Sequence, residues 1–279
     1  MKIVLFGSSG FIGRHVRAAL RDVGEVICPG RDRHDLVRGP TAELAALVRA
    51  EAPDAVVCCV GALTGSAEEL VRANTLVAAK LLEAAAGARL VRLGSAGEYG
   101  VVPGGQSVTE DDRAEPVGAY GVSHLAGTRL FELADAPAVS VRVFNPIGAG
   151  QPAENVLGRA AAQMRAGHPE ITLGPLAAYR DFVDVRDVAS LVQRVVAAAA
   201  LPHRVYNAGS GRAVTVREAV AALARHAGYT GVVREVGAGP PRSAAVSWIR
   251  ADISRAGTDL GWAPAYDLDA SIKSIWDES

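Results

Sequence analysis

Short apolar runs alternate with longer stretches that carry apolar residues at helical spacing through the first half of the chain. The apolar runs predict strands at Lys2–Phe6, Glu25–Cys28, Ala55–Val60, Arg89–Leu93 and Ala138–Phe144. The stretches between them predict helices at Gly13–Val23, Thr41–Glu51, Leu70–Ala86 and Ala119–Leu133. Strands that are apolar throughout and alternate with helices are typical of a parallel sheet covered on both faces. The pattern therefore predicts an α/β fold with a doubly wound parallel sheet.

The pattern changes after residue 144 to loops that contain Gly and Pro, and to shorter helices. Helices are predicted at Asn155–Ala166 and Val216–Ala227. The Gly- and Pro-rich stretch Val236–Arg242 is interpreted as a loop rather than a linker, because segments with an ordered pattern follow it. The second half is therefore expected to add a smaller, less regular part to the sheet.

The composition is that of a soluble globular protein, with 49% apolar and 21% charged residues. Lys and Arg total 29 against 30 Asp and Glu, so a nucleic-acid-binding surface is not expected. Three cysteines make no disulfide framework, and the adjacent Cys58 and Cys59 lie in an apolar run. The chain shows no signal-peptide pattern and no apolar stretch near the ~20 residues of a membrane span. We expect a cytoplasmic protein without a membrane partner.

A glycine-rich segment, GSSGFIG at Gly7–Gly13, joins the first predicted strand to the first predicted helix. Such a turn presents backbone N–H groups to an anion, and the missing side chains let a pyrophosphate come close. A plain tight turn is the alternative, because a glycine triplet alone is a weak signal. The position between a strand and a helix favours a dinucleotide site.

The residues after the second predicted strand bear on which dinucleotide binds. An acid there is typical of NAD sites, where it contacts the ribose 2′-hydroxyl, whereas an arginine accommodates the 2′-phosphate of NADP. Here Arg31 and Arg33 flank Asp32. The arginines favour NADP(H), with NAD(H) as the alternative. Solvated loop charges are the other interpretation of these residues.

Several stretches together resemble the extended short-chain dehydrogenase/reductases, the NAD(P)-dependent sugar-nucleotide epimerases, dehydratases and reductases. They are GSSGFIG at Gly7, PDAVVCCVGA at Pro53, ANT at Ala73, GSAGEYG at Gly94, AYGVS at Ala119, RDFVDVRDVA at Arg180, YNAGSG at Tyr206 and ADISRAGTDLGW near the C-terminus. Phe144–Gln151 and Leu173–Ala189 are similar to the branch that reduces GDP-4-keto-6-deoxymannose. The resemblance implies a Rossmann domain at 1–145 and about 181–208, with a small C-terminal substrate-binding lobe at about 146–180 and 209–279.

Catalysis in this family uses a Ser or Thr, a Tyr and a Lys, and the resemblance assigns the first two roles to Ser95 and Tyr120. Hydride attack on a carbonyl leaves an alkoxide that needs a hydrogen bond and a proton, which Ser95 and Tyr120 would supply. The lysine of Y-x-x-x-K is replaced by His124, one helical turn after the tyrosine. An imidazole can donate to a cofactor ribose hydroxyl. It is positively charged only when the pH lies below its pKa, which is usually ~6.5. Without these motifs, a turn-capping serine and a core tyrosine would be the simpler interpretation.

Further contacts carry over from the family by position. The resemblance assigns cofactor binding to Gly7, Ser9, Gly10, Phe11, Ile12, Gly13, Arg31, Asp35, Leu36, Gly61, Ala62, Tyr120 and His124. It assigns substrate binding to Ser95, Asn145, Arg180 and Arg242, where the guanidinium groups suit a diphosphate. For Arg180 the alternative is an ion pair with Asp181, Asp184 or Asp187.

These features favour NADPH-dependent reduction of the 4-keto group of a nucleotide-activated 6-deoxyhexose, in deoxysugar biosynthesis. A reductase uses a neutral tyrosine as proton donor, whereas an epimerase must first remove a proton, so His124 disfavours the alternative of NAD-dependent epimerisation. Dehydration is not expected, because Ala96 and Gly97 stand where dehydratases carry two acids, and Glu98 would face the other side of an extended segment. The alternative of another class is a cofactor-binding protein that has lost catalysis.

The expected partner is a nucleotide sugar, and the family resemblance adds a second copy of the chain. Leu70–Ala86 and Ala119–Leu133 are the long helices through which a homodimer would form. The six histidines are scattered and lack the spacing of metal ligands, so no metal site is indicated.

Overall fold

Strands and helices alternate through residues 1–85, 87–237 and 245–277, which a computed structural model describes. The strands are β1 (Lys2–Phe6), β2 (Glu25–Ile27), β3 (Ala55–Cys58), β4 (Arg89–Ser95), β5 (Ala138–Val143), β6 (Asn145–Ile147), β7 (Glu170–Leu173), β8 (Tyr179–Asp184), β9 (Val205–Ala208), β10 (Ala213–Thr215) and β11 (Val232–Glu235). The helices are α1 (Phe11–Leu20), α2 (Thr41–Glu51), α3 (Ala67–Leu70), α4 (Val77–Ala84), α5 (Ala119–Glu132), α6 (Val156–Arg165), α7 (Val185–Ala197), α8 (Val216–His226), α9 (Ser254–Leu260) and α10 (Leu268–Asp277). A π-helical turn at Val71–Leu76 joins α3 to α4, and a 3₁₀ turn covers Ala96–Glu98.

Six strands form one parallel sheet in the order β2-β1-β3-β4-β5-β9. The chain moves from β1 outward to β2 and then returns to the other side of β1 with β3. In sheets of this kind a crevice opens at such a reversal, outside the carboxyl ends of the strands. The doubly wound α/β fold predicted from the apolar pattern is confirmed.

Apolar side chains on both faces of the sheet explain why its strands contain few polar positions. On one face Ile3 and Leu5 pack with Val16 of α1 and Val192 of α7. On the other face, α2, α4 and α5 pack against the alternate residues of the same strands, such as Val4 and Phe6 of β1. Because both faces are covered, nearly every strand position is buried.

The chain after β5 builds two smaller sheets. β6, β8 and β10 form one of them, and β7 pairs with β11 in the other. A separate apolar cluster, which includes Leu157 of α6, Leu223 of α8 and Ile275 of α10, packs on these strands. The smaller sheets therefore have a core of their own beside the crevice of the large sheet.

Two helices begin earlier than the apolar pattern predicts. The helix expected from Gly13 starts at Phe11, directly after the glycine turn. The helix expected from Leu70 starts at Ala67, because Ser66 and Glu69 form a capping box with each other's backbone N–H groups. Within the described residues, no helix has the length and apolar character needed to cross a membrane.

Candidate active site

A cleft of about 770 Å³ lies at the carboxyl ends of the strands, between the large sheet and the smaller sheets. The residues predicted for the site that line it are Gly10, Phe11, Ile12, Gly61, Ala62, Ser95, Tyr120, His124, Asn145 and Arg180. Folding thus brings residues from six separate parts of the chain to one opening. Among the described residues, the other predicted ones do not line this cleft.

The glycine turn brings the start of α1 to the cleft. Gly7 has a φ of +76°, which favours glycine. Gly10 precedes α1 without a side-chain cap, so the first N–H groups of the helix are left for a ligand. Since Gly10, Phe11 and Ile12 line the cleft, a dinucleotide phosphate fits here. Gly7 and Gly13 belong to the same turn but do not line the cleft, and Ser9 is exposed.

Gly13→Ala is expected to lower the free energy of unfolding by about 1–3 kcal/mol or more, because a Cβ there would lie 1.9 Å from the Gly7 carbonyl oxygen. It should also weaken NADPH binding, since the turn cannot keep its shape. Gly10→Ala is the matched control for stability, because its Cβ would lie 3.3 Å from the same oxygen. Urea denaturation compares the two variants, and fluorescence titration with NADPH compares Gly13→Ala with the parent. Equal stability of both would contradict the close approach of Gly13.

Three predicted cofactor residues, Arg31, Asp35 and Leu36, lie outside the cleft lining. Arg31 is exposed, and Asp35 accepts hydrogen bonds from the backbone N–H groups of Val37 (2.9 Å) and Arg38 (3.1 Å). The side chain of Leu36 is 3% exposed and packs in the core against the sheet. Burial of this side chain leaves the backbone of Leu36 for a ligand. The cofactor-binding roles of Arg31, Asp35 and Leu36 stay predictions.

Ser95 and Tyr120 meet across Gly97. Ser95 ends β4, and its Oγ accepts a hydrogen bond from the Gly97 N–H at 3.1 Å. A Cβ on Gly97 would lie 3.1 Å from Cε1 of Tyr120 and 3.3 Å from Oγ of Ser95. Any side chain at this position would therefore crowd both residues. The serine is the turn cap that the simpler interpretation expects, and it also lines the cleft.

His124 lies one turn after Tyr120 on α5, and the two rings pack edge to face with centroids 4.7 Å apart. Its side chain lines the cleft at one edge, while the residue as a whole is buried. Burial, together with the nearby charge of Arg92, holds the pKa of His124 well below its usual 6.5. The sequence alone did not decide whether His124 is charged. In the structure its lowered pKa makes the imidazole neutral at physiological pH.

Glu98 does not line the cleft, in agreement with the sequence analysis, but the segment that carries it is not extended. The chain winds into a 3₁₀ turn after β4, so Glu98 points into the protein and is fully buried. Its carboxylate pairs with Arg142 at 2.8 Å and accepts a hydrogen bond from the Ser95 N–H at 2.9 Å. Burial alone would lower the pKa of Arg142, but the Glu98 carboxylate outweighs it and raises that pKa above its ordinary range. Glu98 therefore stabilises the turn and does not face the cleft.

Two residues that the sequence did not single out support the site from behind. Arg92 of β4 lies 3.3 Å from Nδ1 of His124 through its Nη2. Asn74 of the π-helical turn exchanges hydrogen bonds with the backbone of Ala62 (2.8 and 3.0 Å) and donates to Oγ of Ser123 at 3.0 Å. Two signals in the sequence could have identified them. Arg92 is a charged residue inside an apolar strand, and Asn74 belongs to the Ala73–Thr75 motif.

None of the chain's lysines takes the place of the missing one. Their contacts lie elsewhere: Lys2 with Glu51, Lys80 with the backbone carbonyls at 36, 37 and 39, and Lys273 with Asp277.

The predicted substrate residues Asn145 and Arg180 both line the cleft. Asn145 donates to the carbonyl oxygen of Asp181 at 3.1 Å, which fixes its amide. Arg180 donates to the carbonyl oxygen of Tyr179 at 2.8 Å, and burial lowers the pKa of its guanidinium. Arg242 lies outside the described residues.

The three aspartates considered as ion-pair partners of Arg180 each have other partners. Asp181 accepts from the backbone N–H groups at 210, 211 and 251, Asp184 pairs with Arg186 at 2.8 Å, and Asp187 accepts from the N–H groups at 265 and 266.

Comparisons with known proteins agree with this geometry. The chain is 36% identical to a dTDP-6-deoxy-L-talose 4-dehydrogenase (NAD(P)(+)) from Kitasatospora kifunensis, over 99% of this chain and 94% of that protein. Its fold superposes on RMD from Pseudomonas aeruginosa complexed with NADPH, with a TM-score of 0.85, 26% identity and coverage of 99% and 98% of the two chains. It is equally similar to MoeE5 in complex with UDP-glucuronic acid and NAD, with a TM-score of 0.86, 26% identity and the same coverage.

A family profile covers most of the chain. The NAD dependent epimerase/dehydratase family matches residues 3–209, which include the glycine turn, Ser95, Tyr120 and His124. The resemblance to the extended short-chain dehydrogenase/reductases is thereby confirmed. The chain belongs to the NAD dependent epimerase/dehydratase family and is an NAD(P)-dependent oxidoreductase of the extended short-chain type.

Proposed function

We propose that the enzyme reduces the 4-keto group of a nucleotide-activated 6-deoxyhexose with NADPH. The observation that carries the proposal is the meeting of Ser95, Tyr120 and His124 in one cleft with the open start of α1. In this proposal residues 1–145 and about 181–208 bind the dinucleotide, and about 146–180 and 209–279 bind the sugar nucleotide. Arg180 and Arg242 are assigned to the diphosphate, and Asn145 to the sugar.

The proposed step needs a proton donor and a hydrogen-bond donor at the sugar C4 oxygen. Bound NADPH supplies the hydride that C4 receives. Tyr120 Oη gives its proton to the oxygen as negative charge develops there, and the Ser95 hydroxyl donates a hydrogen bond to the same oxygen. His124, neutral in its buried position, donates to a ribose hydroxyl of the cofactor.

A thymidine-linked substrate is favoured over a guanosine-linked one by the relative from Kitasatospora kifunensis, which is named for a dTDP sugar and matches nearly the whole chain. NADPH is favoured over NADH by Arg31, which is exposed after β2 and has the charge to meet a 2′-phosphate. Arg33 is less suited to that role, because its Nη2 lies 2.5 Å from Glu51.

The test is NADPH oxidation with dTDP-4-keto-6-deoxyglucose and with GDP-4-keto-6-deoxymannose, repeated with NADH, with product stereochemistry determined by NMR. Consumption of one NADPH per product supports reduction. Interconversion of nucleotide sugars without added cofactor would instead favour an epimerase. NADPH binding without turnover of either keto sugar would favour a protein that has lost catalysis.

Reduction by the parent enzyme is expected to vary by less than about twofold between pH 6 and 8, because Tyr120 donates in its neutral form and the lowered pKa keeps His124 neutral. His124→Lys should also retain reduction over this range. The introduced ammonium group would lie beside Arg92, so unfolding of the variant is measured in parallel. A rate that rises or falls with a midpoint near pH 6.5 would contradict the role given to His124.

We also propose that two copies associate through the helices next to the cleft. Apolar side chains are exposed on this part of the surface, at Val71, Leu76, Val122 and Leu133. The mass in solution, measured by light scattering, decides between a monomer and a dimer.

A further inference from the structure

Arg92 is a buried cation whose hydrogen-bond partners are neutral. It lies on β4 with 4% of its surface exposed. The guanidinium donates to Oγ1 of Thr128 and Oγ of Ser140, both at 2.9 Å, and to the carbonyl oxygens of His124 and Asn74, both at 3.4 Å. Its fifth contact is Nδ1 of His124 at 3.3 Å. A guanidinium remains charged in proteins, so a positive charge lies directly beneath the imidazole.

The nearest carboxylate does not cancel this charge. Glu98 reaches Arg92 only through Thr128, whose hydroxyl donates to Oε1 of Glu98 at 3.0 Å. The other carboxylate oxygen is bound by Nε of Arg142 at 2.8 Å. The guanidinium groups of Arg92 and Arg142 thus share the carboxylate of Glu98. These three buried side chains together keep a net positive charge. Cys58 of β3 also faces Arg92, but burial raises its pKa to about 11, which leaves the thiol neutral.

The contact with Arg92 also fixes the tautomer of His124. A guanidinium nitrogen can only donate, so Nδ1 of His124 must accept, and the ring proton is then on Nε2. The same ring packs against Tyr120, with centroids 4.7 Å apart. Arg92 therefore contacts His124, and His124 contacts Tyr120. These three side chains connect the buried interior to the cleft.

We propose that Arg92 is a positioning residue that holds His124 as the neutral Nε2–H donor and favours the phenolate form of Tyr120. The proposal rests on the proposed function, in which the proton of Tyr120 passes to the sugar oxygen and leaves a phenolate. The charge of Arg92 stabilises that phenolate across one imidazole ring. Besides His124, the titratable and charged groups that face Arg92 are Cys58 of β3, Glu98 of the 3₁₀ turn, Arg142 of β5 and Tyr120 of α5.

The test compares Arg92→Gln, which removes the charge but keeps amide donors, with Arg92→Lys, which keeps the charge. Reduction depends on the protonated phenol, so its rate falls at alkaline pH as Tyr120 ionises. We expect the midpoint of this fall in kcat/KM to move upward by about one pH unit in Arg92→Gln, the effect of a nearby unit charge at an effective dielectric of about 20. Arg92→Lys should restore at least half of the shift.

Arg89→Gln is the matched control, because Arg89 lies on the same strand and donates to the carbonyls at the end of α7, at 195, 196 and 198. Its midpoint should equal that of the parent. An unchanged midpoint in folded Arg92→Gln would overturn the proposed effect on Tyr120.

Two measurements need no substrate and so separate this inference from the proposed function. Phenolate absorbance, taken as the difference between each protein and its Tyr120→Phe counterpart, should show that Tyr120 releases its proton at higher pH in Arg92→Gln. Nitrogen-15 NMR of the parent should show His124 protonated on Nε2 and not on Nδ1. A proton on Nδ1 would overturn the tautomer assignment, even if Arg92→Gln does not fold. Absence of keto-sugar turnover in the parent would overturn only the proposed function.

Discussion

Tyr120→Phe is expected to lower kcat/KM for keto-sugar reduction by about 10²- to 10⁴-fold. The phenol is the proton donor in the proposed step, and phenylalanine keeps the packing against His124 and Gly97 without a proton to give. The glycine turn is untouched, so the Kd for NADPH should stay within a few-fold of the parent value. Steady-state assays of NADPH oxidation measure kcat/KM, and a binding titration measures the Kd for NADPH.

The control for this variant is Tyr266→Phe, which removes a hydroxyl from an exposed tyrosine that does not line the cleft. Its activity should match that of the parent. If Tyr120→Phe retains more than a tenth of the parent kcat/KM, another group delivers the proton and the proposed step is wrong.

Glu98→Ala is expected to lower the free energy of unfolding by about 3–5 kcal/mol. Glu98 is fully buried and Arg142 is 1% exposed, so the variant leaves a guanidinium in the interior without its carboxylate. The Ser95 N–H also loses its acceptor. Urea denaturation monitored by circular dichroism measures the change.

Two comparisons show whether the loss comes from the buried charge. Glu98→Leu combined with Arg142→Met removes both charges and should cost less than Glu98→Ala alone, because no unpaired ion remains. Glu132→Ala breaks the surface pair with Arg129 on α5 and should cost at most about 1 kcal/mol. A loss below about 1 kcal/mol for Glu98→Ala would mean that water or a local shift compensates for the missing carboxylate.

Most of the large sheet could be predicted because burial on both faces makes each strand an apolar run. α2 has the predicted bounds, and α5 ends one residue before the prediction. The start of the helix at Ala67 was missed, although the capping pair Ser66 and Glu69 is visible in the sequence. The π-helical turn could not be predicted, because no residue pattern distinguishes a wide turn from an ordinary one.

Within the site, the family resemblance identified Ser95, Tyr120 and His124, and all three line one cleft, because β4 ends and α5 begins there. The charge state of His124 could not be read from the sequence, because it depends on burial and on Arg92, and both arise only after the strand and helix pack. The backbone path at Glu98 could not be predicted for a related reason. Its direction depends on whether the chain stays extended after β4, and the hydrogen bond to its own turn decides this.

The wide turn at Val71–Leu76 makes this helix unusually sensitive to a change in length. Deleting one residue there would let a continuous α-helix form, which would redirect the side chains within the turn and leave those beyond it facing the same way. Asn74 could then no longer bridge the loop at Ala62 and the helix that bears Tyr120. A homologue that lacks the extra residue must therefore join these two elements by different chemistry, which makes an indel at this point a marker of divergence within the family.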